Sequence, residues 1–216
     1  MVGATLTLGD RRLARVEAVV PVKDPHEKTI WRHTISIRDD QGNWLNPCSP
    51  FTDGSRAVVV IPGRAQNDGS VTDDPQRFVL ACTSDAQGKC LGFGYRPWEG
   101  PVQGVDQRAA YNACVRMVRA DYGGAGTGYT KTGMQIDVFD DFGVQQADML
   151  AGQDFEAGWT PAGAVCVHHV RVARNVTLAE LEARYTSLRG RTGDVCTPRF
   201  AREHGAIIYN RSSALP

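Results

Sequence analysis

Apolar and polar residues alternate most cleanly from Ile30 to Arg38, where Trp31, His33, Ile35 and Ile37 share one parity and Arg32, Thr34, Ser36 and Arg38 the other. A period of two is that of a half-buried strand, and the polar run Asp39-Asp40-Gln41-Gly42-Asn43 behind it predicts a hairpin turn. Leu13 to Val20, Ala57 to Ile61 and Arg77 to Cys82 read as further strands, and Arg64 to Pro75, rich in Gly, Asp, Asn and Ser, as an exposed loop. Further on the period changes. Arg108, Asn112, Arg116 and Arg119 recur at helical intervals and leave Ala110, Tyr111, Cys114, Val115, Met117, Val118 and Tyr122 on a wide apolar side. Asp106 suits the N-cap of this helix, and Gly123-Gly124 its left-handed stop. Asp121 fits badly, because the helix dipole disfavours a carboxylate in the last turn by roughly 0.3–1 kcal/mol. A cationic partner is therefore expected, Arg96 first, with Arg116 or Arg119 as local alternatives.

Ala164 to Ala173 reads as a strand with Val165, Val167 and His169 opposing Cys166, His168 and Val170. Thr177 to Leu188 is a helix announced by the capping box Thr177-x-x-Glu180 and stopped at Gly190, and Ala206-Ile207-Ile208-Tyr209 reads as a closing strand. The pattern predicts an α+β fold in one domain over residues 1–216, mainly antiparallel sheet with two principal helices.

Composition narrows the function more than the fold. With 216 residues, 42% of them apolar, the chain can bury a core without relying on covalent staples. Lys+Arg and Asp+Glu are both 24, so the cationic excess of a nucleic-acid binder is missing and no nucleic-acid partner is expected. Charge is nevertheless segregated: Asp121 to Glu156 carries seven acids against Lys131 alone, and from Ala164 onward eight arginines face four acids. Internal pairing of the two regions is the expectation. No stretch approaches the ~18 apolar residues of a membrane span. Six cysteines, Cys48, Cys82, Cys90, Cys114, Cys166 and Cys196, with no C-x-x-C pair, point to three disulfides and an oxidising compartment. Spacing does not choose the pairing; a Cys82–Cys90 bridge would close a short loop.

Lys89-Cys90 leading into Gly94-Tyr95-Arg96-Pro97-Trp98, then Ala113-Cys114-Val115-Arg116-Met117 and Arg119-Ala120-Asp121-Tyr122, resembles the ADYC domain, an uncharacterised family of exported bacterial proteins. The likeness continues through Ile136-Asp137-Val138 and Phe155-Glu156-Ala157 to Gly163-Ala164-Val165-Cys166. It departs at the fourth letter of the signature, where the family's Cys is Gly123, which puts one covalent link of the family in question. The resemblance implies an extracytoplasmic protein, secreted or periplasmic, with Met1 standing in place of a removed signal segment. It transfers no catalytic residues.

Each chemistry candidate has a plain structural alternative. The run around Cys114 is similar to the His-Gly-Cys-x-Arg nucleophile motif of L,D-transpeptidases, but Asn112 and Ala113 occupy the His and Gly positions and Cys114 falls on the apolar side of a helix. Asp121, Asp137, Asp140, Asp141 and Glu156 could supply paired carboxylates for hydrolysis, or Asp137, Asp140 and Asp141 a hard-cation site; their spacing is not that of an EF-hand, and loop carboxylates are usually solvated. His168 and His169, adjacent in a strand, would point to opposite faces. The glycine run from Gly123 to Gly128 ends a helix rather than opening one, unlike a phosphate loop. No cofactor is expected. Tyr95, Arg96 and Trp98, with Asp121 and Tyr122, are the candidate binding residues for a protein, peptide or glycan, against packing as the alternative. The leading expectation is a disulfide-stabilised interaction or structural module. The alternative is a secreted hydrolase or acyl transferase using Cys114 or the Asp121, Asp137 and Asp140 carboxylates.

Overall fold

The computed structural model describes residues 2–215, an α+β fold whose two larger sheets are antiparallel throughout. The chain forms two compact units, one made of the residues up to Arg64 with Asp73–Gly94, the other of Ala65–Thr72 with everything from Tyr95 onward.

The first unit is a six-stranded sheet. Strands β1 (Thr5–Thr7), β2 (Leu13–Lys23), β3 (Thr29–Arg38) and β4 (Trp44–Leu45) are followed by β5 (Val58–Pro62) and, after the short ribbon β6 (Arg64–Ala65) and β7 (Val71–Thr72), by β8 (Phe78–Cys82). The order is β1-β2-β3-β5-β8, with β4 paired to β3. Its turns are closed by aspartates rather than by chance contacts. Asp24 accepts from the main chain of His26 and Lys28, and Asp39 from Gln41 and Asn43, the side-chain turn that Asp forms readily. Ile35, Cys48 and Val58 make a small core on one face, with Ile37, Leu80 and Cys82 against it, and the Cys48–Cys82 bridge fixes it. The period-two reading of β3 holds for Ile35 but not for Trp31, which is 55% exposed because that core does not extend so far along the strand. Helix α1 (Ala86–Gly92) follows β8, in a stretch that gave no helical period.

In the second unit, helix α2 (Gln107–Arg119) lies on a four-stranded sheet of order β11-β10-β12-β9. The strands are β9 (Asp137–Asp140), β10 (Asp154–Thr160), β11 (Gly163–Val167) and, after the short helices α3 (Leu178–Arg184) and α4 (Pro198–Glu203), β12 (Ile208–Ser212). Asp106 caps α2 as expected, its side chain accepting from Arg108 N. Tyr111, Val115 and Met117 bury completely or nearly so, each contributing about 1.5–3 kcal/mol. The other face of the sheet packs Tyr209, Cys166, Ala201 and Ala206, with Phe139, Phe155 and Phe200 at its margin, and the Cys166–Cys196 bridge runs through this layer. Closing a loop of 30 residues supplies about 3–4 kcal/mol by chain entropy.

Several expectations change. None of the six cysteines is free, but Cys82 pairs with Cys48 and not with Cys90. Helix α2 stops at Ala120, itself left-handed at φ 51°, and not at the glycines. Asn112 and Arg116 lie buried rather than on a solvated side. The segment from Arg64 to Pro75 is not a free loop, since Val71 is fully buried and its N–H and C=O are both held by the Asn112 amide. The strand from Ala164 ends at Val167, so His168 and His169 sit in a bend with ring centroids 6.1 Å apart instead of on opposite faces. The helix from Thr177, capping box intact, ends at Arg184, before Gly190.

Candidate functional site

The residues of the Ala-Asp-Tyr stretch converge where α2 ends. A helix leaves its last four carbonyls without partners. Here each has one: Arg116 O accepts from Asp121 N, Met117 O and Val118 O from the two terminal nitrogens of Arg171, and Arg119 O from Tyr129 N. A guanidinium is planar and carries five donors, which lets one fully buried side chain serve both the helix end and an acid.

That acid is Glu156. It accepts from Arg171 Nε at 3.0 Å and Nη2 at 3.0 Å, from Tyr122 Oη at 2.9 Å and from Asn210 Nδ2 at 2.7 Å. Strand alternation would not put it there. Between β10 and β12 the pairing passes from Phe155–Arg211 directly to Ala157–Asn210, leaving Glu156 as the extra residue of a β-bulge. The bulge turns Glu156 to the helix side of the sheet together with Ala157. Burial opposes its charge most strongly, yet Arg171 and the hydrogen bonds of Ser212 and Asn210 outweigh it and hold the carboxyl below its ordinary range. The ring closes through Trp159, whose Nε1 donates to Asn210 Oδ1 at 2.7 Å while its indole stacks on Tyr122 at 5.4 Å. Burial, with Glu156 adding to it, raises the Tyr122 phenol far above its ordinary value, so it stays a neutral donor.

A second ion-pair group flanks the first. Arg116, 2% exposed, donates to Asp121 Oδ2 at 2.8 Å, Asp68 Oδ2 at 2.5 Å, Asp68 O at 2.5 Å and Pro161 O at 3.0 Å. Asp121 Oδ2 also accepts from Gly126 N at 2.8 Å. The expected cation is therefore present, but it is the local alternative Arg116; Arg96 lies with Glu99 at 3.7 Å instead. Burial works against the Asp68 charge, and the Ser70 and Arg116 hydrogen bonds carry it down to about 2. Gly123, the departure from the family signature, lies flat against Tyr185: a Cβ there would stand 2.1 Å from the ring.

The other candidates are occupied. Cys114 is fully buried and disulfide-bonded. Asp137 accepts from the main chain of Asp148 and Met149, and Asp140 from that of Phe142, Gly143, Val144 and Gln145 as well as from Tyr95 Oη. Asp141 pairs with Arg202 at 2.7 Å. Their carboxylates fasten loops, and no group of three or more possible metal ligands occurs among the described residues. Of the five candidate binding residues, Tyr95, Arg96, Asp121 and Tyr122 are buried and only Trp98 is exposed.

Reading by period missed the roles of Arg171, Trp159 and Asn210. The available signal was a lone charge inside an apolar run, as in Phe155-Glu156-Ala157-Gly158-Trp159 and Val170-Arg171-Val172, since an acid or arginine there must find a buried partner. Comparison with known proteins agrees with the motifs: the family model described as ADYC domain matches residues 1–173. No curated protein and no solved structure matches the chain.

Proposed function

We propose that this chain, which belongs to the ADYC domain family, works as one extracytoplasmic, disulfide-stabilised binding module, with the Ala-Asp-Tyr centre as its frame and not as a catalytic site. One observation carries the reading: Asp121, Tyr122, Glu156 and Arg171 are each at most 1% exposed and are engaged with one another, with Arg116 or with main chain. A general acid, base or nucleophile has to reach a substrate atom within hydrogen-bond distance, and side chains buried this way do not. The absence of free cysteines supports an oxidising compartment and a role outside the cytoplasm.

The alternative, a hydrolase or acyl transferase, requires a reactive group in the native state. Incubating the oxidised, folded protein with iodoacetamide and with a carboxylate-directed epoxide, followed by peptide mass mapping, separates the two. No adduct at Cys114, Asp121, Asp137 or Asp140 is the expected result. Stoichiometric modification of any of them in the folded protein would overturn the module reading.

A further inference from the structure

Strand β8 ends the sheet of the first unit, and no other described strand pairs with its outer edge. The ladder to β5 fixes what that edge offers. Gly63 N donates to Arg77 O and Thr83 N to Ala57 O, so the pairs between them that exchange main-chain bonds are Ile61–Val79 and Val59–Ala81. Phe78, Leu80 and Cys82 consequently turn their own main-chain groups outward, and of these only Cys82 O is taken, by Asp85 N. The side chains of Phe78 and Leu80 rise on the face that carries Val60 and Pro62, their cross-strand partners, and by parity from the His33–Val58 pair also Trp31. The small core covers this face only as far as Leu80; beyond it Phe78 is 53% exposed, Trp31 55% and Val60 37%.

Native proteins blunt such edges with charge, proline or a covering segment, whereas here apolar side chains flank open donors and acceptors. Half of an aromatic side chain is about 100 Å², so Phe78, Trp31 and Val60 together offer roughly 250 Å², well short of the ~800 Å² that each partner buries in a stable protein pair. A second copy of the chain is therefore a poor occupant, and a single strand, whose main-chain hydrogen bonds supply the rest of the affinity, is a good one. We propose that β8 is a strand-addition edge that receives an extended segment of a partner protein with apolar side chains at alternate positions. The inference deepens the binding-module reading and rests on it.

The pairing geometry dictates the test. A peptide residue that exchanges bonds with Phe78 or Leu80 must share their face, so it is an apolar one. The probe is a fluorescent seven-residue peptide with valines at alternate positions, threonines between them and a lysine at each end; its twin is N-methylated at every valine. The expected result is saturable anisotropy with the first peptide, at least tenfold weaker binding by its twin, and at least tenfold weaker binding to Phe78→Lys, with amide exchange at Phe78 and Leu80 slowed by the first peptide alone. Absence of binding up to millimolar peptide, or binding indifferent to N-methylation, would overturn the edge, while the labelling experiment above would still stand for or against the module. Sedimentation that finds a dimer dissolved by Phe78→Lys would overturn the choice of occupant in favour of a second copy.

Discussion

Replacing Glu156 by Gln is the sharpest probe of the buried centre, because it keeps shape and removes charge. The carboxylate accepts hydrogen bonds from Arg171, Tyr122 and Asn210, with Ser212 beside them. An amide offers one acceptor where there were two, and its own donors would point at Arg171 or Asn210. Arg171, 0% exposed, is left without a counter-ion, and breaking a buried pair in this way costs about 3–5 kcal/mol. That is a large part of the 5–15 kcal/mol by which a domain is ordinarily stable. Trp159 stands in the same ring, so urea melts of the oxidised protein followed by tryptophan fluorescence report the loss where it occurs. Substituting both partners, Glu156→Leu with Arg171→Met, should cost clearly less than the sum of the two single losses, since no charge remains stranded although the Met117 and Val118 carbonyls lose their donor. A loss below about 1 kcal/mol for Glu156→Gln, or a double variant whose losses simply add, would refute the account of this centre.

Asp121→Asn should cost about 2–3 kcal/mol, under the full value of a stripped pair because Asp68 still faces Arg116; losses at Asp121 and Arg116 should be non-additive and those at Asp121 and Arg96 additive, and the reverse in denaturant melts would restore Arg96 as the partner. His169 is half-buried, and burial depresses its pKa below that of a free histidine near 6.5. The unfolded chain then binds this proton more readily, so its contribution is complete above about pH 6.5 and is lost as pH falls toward the folded value; melting temperatures of the parent and His169→Gln between about pH 7 and 5 should diverge in slope, and parallel curves would sink the assignment. Gly123→Cys, which restores the family's letter, drives a Cβ into the Tyr185 ring and should destabilise by about 1–3 kcal/mol; most of that should return in Gly123→Cys with Tyr185→Ala, and a neutral single variant would show that Tyr185 yields freely.

Legibility followed the range of the interactions. Helix α2, its Asp106 cap, the Thr177 capping box and strand β3 rest on neighbours within one or two turns, and their spacing announced them. The even cysteine count announced full oxidation but not Cys48–Cys82, whose partners are 34 residues apart, Cys82 standing opposite Val58 in the β5–β8 ladder. Asp121 advertised a missing partner because its charge opposed the helix dipole, and local geometry then selected Arg116 over Arg96. Glu156 gave less away. A bulge is invisible to a period of two, and without the bulge that carboxylate would point to the other side of the sheet.

The departure at Gly123 now has a physical reading. In the family signature the fourth letter is a cysteine; here all six cysteines are already in disulfides, so no thiol is left to pair with one at that position. What fills the space instead is Tyr185, a residue beyond the segment matched to the family, and its hydroxyl meets that of Tyr129 at 3.1 Å, which in turn accepts from Arg184 at 2.6 Å. The same region of chain completes the other half of the centre, since Asn210, which bridges Glu156 and Trp159, and Ser212, which faces His169 at 3.2 Å, also lie beyond residue 173. At this helix end the chain fastens the turn by packing and hydrogen bonds from its C-terminal part. A variant shortened after residue 173 would strip Asn210 from Glu156 and Tyr185 from Gly123, leaving two faces of the Asp-Tyr turn uncovered, so within the second unit the residues on both sides of position 173 close around Tyr122 together.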